Sequence, residues 1–176
     1  AGTHPRLRAP NAGDRYVAGL DLAGPGEFGD RSVLTVARVT PDGCEVVEHI
    51  AWRGAAFASV VRHVIAAARE WRLERLCADA TGMGAPLVAQ LTDELGARVE
   101  PFVFGATSKS DLGYALIAAA ETARLRLYAD DGSSESGLCY DELRLCRANL
   151  HMRQTLQWQA PAGAHDDFVA SLALCL

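Results

Sequence analysis

Two adjacent carboxylates, Asp166 and Asp167, follow His165 in the stretch GAHDDFVASLALCL, at the mouth of an otherwise apolar helix. One Asp there is explained by capping, because its side chain accepts a backbone N–H and complements the positive end of the helix dipole. A cap needs only one side chain, so the pair raises a second question. Two more carboxylates stand in apolar strands: Asp21 in RYVAGLDLA, and Asp79 at the end of LERLCADA, before the small-residue turn ATGMG. An unpaired charge in such a strand is expensive. If these strands are parallel neighbours, about 4.8 Å apart, both carboxylates emerge at the carboxyl edge of the sheet, where α/β ligands usually bind. Two anions held there repel, and burial drives one to stay protonated unless a cation sits between them. A hard divalent ion with oxygen ligands, Mg²⁺ or Mn²⁺, resolves this, and Asp166 and Asp167 could supply the remaining ligands. Plainer roles stay open here: Asp21 bonded to nearby strand-end amides, and Asp79 shaping an Asx turn.

Composition narrows the classes. Of 17 basic residues only Lys109, in TSKSD, is a lysine. The net charge of −5 argues against a generally basic nucleic-acid coat, but not against a local basic groove, since an acidic site lowers the total by itself. Five cysteines (Cys44, Cys77, Cys139, Cys146, Cys175) form no CxxC pair and suit reduced core thiols. No apolar run is long enough to span a membrane, and residues 1–15 contain no signal-peptide core. Those residues are expected to be a flexible leader before one domain over 16–176. A chain that begins without Met and ends without a helix-stop signal is expected to be excised from a longer protein.

The elements that must position these residues follow from periodicity. RYVAGLDLA, RSVLTVARV and CEVVEHIAW alternate as strands with short links, an antiparallel meander. Phe57, Val60, Val61, Val64, Ile65, Ala68 and Trp71 fall at helical spacing over about 56–71. LERLCADA is a short buried strand, GAPLVAQLTDELG a helix with Pro86 in its first turn, and RVEPFVFG a fifth strand. Thr107 or Ser108 is expected to cap the next helix, and Leu143, Cys146 and Leu150 to mark another. A short strand near TLQWQ precedes the terminal helix. The fold expected is α/β, a mixed five-stranded sheet of a meander and two parallel strands, with helices on both faces.

The stretches GLDLAGPGEFGDRSVLTVARV, LCADATGMGAPLVAQL, FGATSKSDLGYALIAAAETARLRL and GAHDDFVASLAL resemble, in order, the motifs of the nuclease domain of phage terminase large subunits. The resemblance spans Tyr16 to Leu176. It implies a ribonuclease H-like, RuvC-type fold and an endonuclease that cuts concatemeric phage DNA during packaging. It places Asp21, Asp79, Asp166 and Asp167 at the catalytic positions, holding two Mg²⁺ or Mn²⁺ ions, with Asp21 bridging them. The implied partners are double-stranded DNA, an ATPase domain of the same full-length chain, the portal and the small terminase subunit, in the bacterial host cytoplasm. No GxxxxGK[ST] motif of such an ATPase occurs here. Lys109 is a candidate DNA-phosphate contact, and Arg124, Arg126, Arg144, Arg147 and Arg153 are candidate groove residues. His165 could orient a ligand or serve in packing, and Asp30 lies in a loop longer than the family's compact version. Rival readings are a RuvC-like junction resolvase, a sugar-kinase or actin-like ATPase in which DATGMG is a phosphate loop, and a non-cutting docking module.

Overall fold

In the computed structural model, which describes residues 2–24, 31–150 and 154–176, alternation governs the first half of the chain. β1 (Tyr16–Asp21), β2 (Arg31–Thr40) and β3 (Gly43–Arg53) pair as the expected antiparallel meander. α1 (Phe57–Glu70) then crosses to β4 (Arg75–Asp79), which lies parallel to β1. α2 (Gly84–Leu95) leads to β5 (Val99–Phe102), parallel to β4. After α3 (Ala106–Glu121), the two-residue β6 (Leu125–Arg126) adds to the free edge of β3, so the sheet has six strands rather than five, in the order β5-β4-β1-β2-β3-β6.

The second half departs further from the expected pattern. α4 (Ser134–Leu145) ends before Cys146, and Leu150 belongs to β7 (Arg147–Leu150), not to a helix. β7 and β8 (Leu156–Gln159) form a separate two-stranded ribbon, and α5 (Asp167–Leu174) closes the chain. Apolar spacing alone did not separate helix from strand over so short a run. The cap of α3 also differs. Gly105 is its N-cap, and Ser108, three residues in, accepts the Gly105 N–H through Oγ at 2.8 Å.

Helices cover both sheet faces. Val60, Val64, Leu87 and Leu91 of α1 and α2 pack with Ala18, Leu20, Leu34 and Leu76 in one core. On the other face, α5 lies on β1 and β2, with Leu172 and Cys175 against Ala37 and Val46. Its approach is close: a Cβ on Gly19 would stand 2.1 Å from the Ser171 carbonyl oxygen. Only a strand without a side chain at that point lets the helix backbone lie directly on it. A Thr35–Ser171 hydroxyl pair, fully buried, registers the two elements. No helix among the described residues is long and apolar enough to cross a membrane.

The N-terminal segment, expected to be flexible, is tied down. Leu7 N–H donates to Val47 O at 2.9 Å and Ala129 N–H to His4 O at 2.8 Å. The side chain of Arg6 is shielded from solvent, paired with Glu48 and donating to His49 O at 2.8 Å. His49 itself is buried, with Nδ1 2.8 Å from the Tyr128 hydroxyl. Burial, helped by the neighbouring Arg6 charge, pushes its imidazole down to about 3.

An unfolded histidine titrates near 6.5. As pH falls, the unfolded chain therefore takes up this proton first, and the fold loses stability between about pH 6.5 and 3, by about 1.4 kcal/mol per unit at most. His49→Gln keeps a partner for Tyr128 and removes the titration. Urea unfolding at pH 7 and pH 5 should show the wild type losing about 2 kcal/mol more than the variant on acidification.

Candidate active site

β1 and β4 run parallel with Leu20 opposite Ala78, so Asp21 and Asp79, one residue further, end their strands side by side. The adjacency expected from sequence is present. At that edge a cleft of about 220 Å³ is lined by Asp21, Asp79, Asp166 and Asp167, with Phe104 and Lys109 on its rim. Three stretches far apart in the chain thus deliver four carboxylates to one place.

Three of the four are held in different ways. Asp79 Oδ1 accepts the Thr81 N–H at 2.8 Å, the Asx turn foreseen for it, while Thr81 Oγ1 accepts the Phe104 N–H at 2.9 Å and ties the turn to the end of β5. The turn is tight, since a Cβ on Gly84 would sit 2.4 Å from the Asp79 carbonyl oxygen. Asp167 is 4% exposed, and its Oδ2 accepts the Arg31 N–H of β2 at 2.8 Å. Asp166 is the N-cap of α5 by position, yet its side chain makes no bond to the helix amides. Its Oδ2 lies 3.8 Å from Lys109 Nζ. That ammonium sits 4.5 Å above the Trp158 ring, whose Nε1 donates to Lys109 O at 2.7 Å, so indole and main chain together fix the lysine.

Sequence reasoning missed Glu142. This α4 residue is 5% exposed, and its Oε2 accepts the Phe168 N–H of α5 at 2.7 Å. Burial and the nearby Asp167 charge push its carboxyl up to about 7, against the pull of the α5 amides. The signal was present: Glu142 falls between Cys139, Leu143 and Cys146, on the inward face of its helix.

The other candidates scatter. Arg124 is exposed beside Gly43 and Cys44, and Arg126 stands 3.7 Å from Glu45, both at the edge of the sheet opposite Asp21. Arg144 pairs with Asp141 on the surface of α4 and Arg147 is exposed in β7, while Arg153 and Asp30 lie outside the described residues. His165 is half-buried and does not line the cleft. Of the tryptophans, Trp71 is core, Trp52 stacks on His63, and Trp158 carries Lys109.

The model of the terminase RNaseH-like domain family matches residues 18–176. The chain belongs to that family. Solved structures agree with the fold of this terminase domain. The large terminase nuclease of thermophilic phage G20c, with bound magnesium, aligns with a TM-score of 0.78 at 23% identity, over 98% of this chain and 89% of that one. The large terminase nuclease domain of Thermus phage P74-26 gives 0.74 at 21%, over 98% and 87%. A mutant nuclease domain of the large terminase subunit gp2 of bacterial virus Sf6, with manganese and β-thujaplicinol, gives 0.72 at 14%, over 96% and 89%. No curated protein sequence matches the chain. The sheet order and two-sided helical cover of this terminase domain are thus the ribonuclease H-like architecture expected.

The turn that holds Asp79 is open to a direct check. Gly84→Ala forces a methyl against the β4 main chain and should cost about 1–3 kcal/mol. In contrast, Gly137→Ala in α4, where the added methyl meets open space, should stabilise by about 0.5–1 kcal/mol. Urea denaturation of the two variants measures both signs.

Proposed function

We propose that this terminase domain is a metal-dependent endodeoxyribonuclease, cutting concatemeric phage DNA during genome packaging through two Mg²⁺ or Mn²⁺ ions held by Asp21, Asp79, Asp166 and Asp167. The observation that carries this reading is the convergence of those four carboxylates on one cleft at the carboxyl edge of the parallel strands. Membership of the terminase family and the magnesium and manganese named with the G20c and Sf6 nucleases support it.

The donor set suits a hard divalent ion, being carboxylate oxygen throughout. Among the described residues no three His, Cys, Asp or Glu side chains stand close enough to share a single ion. Such ions would therefore be held by one or two carboxylates each and completed by water, as Mg²⁺ prefers. When bound, they supply Lewis acidity at the phosphate and lower the pKa of water. The chain does the rest. The Asx turn at Asp79 and the Arg31 amide at Asp167 keep their carboxylates from swinging away. Lys109, seated on Trp158, offers a positive charge to a phosphate entering beside Asp166. Among the described residues lining the cleft there is no Ser, Thr, Cys, Tyr or His, which points to water rather than a side chain as the attacking group.

In this reading the domain works in the host cytoplasm on double-stranded DNA, joined to a packaging ATPase and acting with the portal and small terminase subunit. Supercoiled plasmid incubated with Mn²⁺ or Mg²⁺ should be nicked and linearised. Chelator should abolish cutting, and Asp79→Asn should reduce it to about one hundredth or less. A preference for four-way junctions over plasmid would favour the resolvase reading instead. Folded wild-type protein that binds Mn²⁺ and DNA without cutting would favour the docking module.

A further inference from the structure

The first amides of any α-helix lack partners within it, and an Asp at the N-cap ordinarily satisfies one of them. α5 departs from this. Asp166 occupies the N-cap but bonds none of the helix amides through its side chain, and faces Lys109 across the cleft instead. The cap arrives from another element: Glu142 Oε2 of α4 takes the Phe168 N–H at 2.7 Å. Phe168 directly follows Asp167, and its ring is locked 5.3 Å from that of buried His49. Asp167 is therefore fixed twice, through its carboxylate by the Arg31 amide of β2 and through its main chain by α4. The second Glu142 oxygen, Oε1, is buried with no hydrogen-bond partner among the described residues. Burying a carboxylate beside that of Asp167 is costly, and a helix turn can be capped more cheaply by its own N-cap residue. That cost makes sense if local capping would turn Asp166 away from the cleft.

We infer that Glu142 is a positioning residue of the active site: by capping α5 from outside, it leaves Asp166 to the cleft and sets the direction in which Asp167 points. This rests on the nuclease reading above. Glu142 touches no substrate; it acts through the first turn of α5. What matters is an acceptor oxygen at that place, so Glu142→Gln keeps the function, while Glu142→Ala loses it.

The test is plasmid nicking under saturating Mn²⁺ by wild type, Glu142→Gln, Glu142→Ala and the core variant Val47→Ala as a control for general destabilisation. Glu142→Ala should lose about tenfold or more in kcat with KM for DNA within about twofold, whereas Glu142→Gln stays within about threefold of wild type. Val47→Ala should lower Tm and leave kcat unchanged. Equal loss in the Ala and Gln variants, or an Ala variant within about twofold of wild type, overturns the inference. Should Glu142→Ala not fold, amide hydrogen exchange decides. The Phe168 N–H should be protected in the wild type and in Glu142→Gln, and rapid exchange in either contradicts the cap. A folded wild type that cuts nothing overturns the nuclease reading and this inference with it. A cutting wild type beside an equally active Glu142→Ala overturns the inference alone.

Discussion

Gly19 has no side chain, and the backbone of α5 takes the space. That contact sets the whole site. With the Ser171 carbonyl lying on β1 and the Thr35–Ser171 pair fixing the register, the mouth of α5 is delivered to the point where β1 ends in Asp21. Parallel pairing of β1 with β4 brings Asp79 to the same edge. Any side chain at Gly19 would lift the helix and draw Asp166 and Asp167 away from the other two carboxylates. The chemistry of the cleft thus depends on a packing contact within the sheet, two residues before Asp21 on β1 and about one helical turn past Asp167 on α5.

The convergence concentrates negative charge, and the surroundings are built to tolerate it. Backbone amides hold Asp79 and Asp167, and the N-terminal end of α5 points its positive dipole toward the cleft. Lys109 is the single lysine of the chain, and Trp158 and Asp166 keep it at the rim. Behind this layer, Glu142 caps the helix and the Arg6–Glu48–His49–Tyr128 group braces Phe168, so the N-terminal segment supports the site without entering it.

The sequence exposes the carboxylates because their settings are local. Asp21 and Asp79 interrupt apolar strands, and Asp166–Asp167 doubles a cap that needs one residue. The meander, the crossover helices and the parallel pair follow from periods of two and 3.6 residues. What escaped has the opposite character. Glu142 resembles any helical glutamate until α5 is seen to lie against its face. Arg124 and Arg126 look like a basic groove, but β6, with Arg126 in it and Arg124 just before it, pairs at the far end of β3, and register over that distance is not written in local pattern. Leu150 kept helical spacing with Leu143 and Cys146 and still became a strand, because β8 offered it a partner. The polar leader gave no hint that the Arg6 side chain would be shielded, since its partners Glu48 and Ser133 come from distant segments.

The four aspartates converge on one cleft, and the proposed function has them hold divalent ions there. Crystals of the domain soaked in Mn²⁺ and measured near the manganese absorption edge test it without reference to activity. An anomalous peak in the cleft, beside one or two of the four aspartates, is the predicted result. An empty cleft in a well-ordered crystal at millimolar Mn²⁺, with the carboxylates still in place, would contradict it.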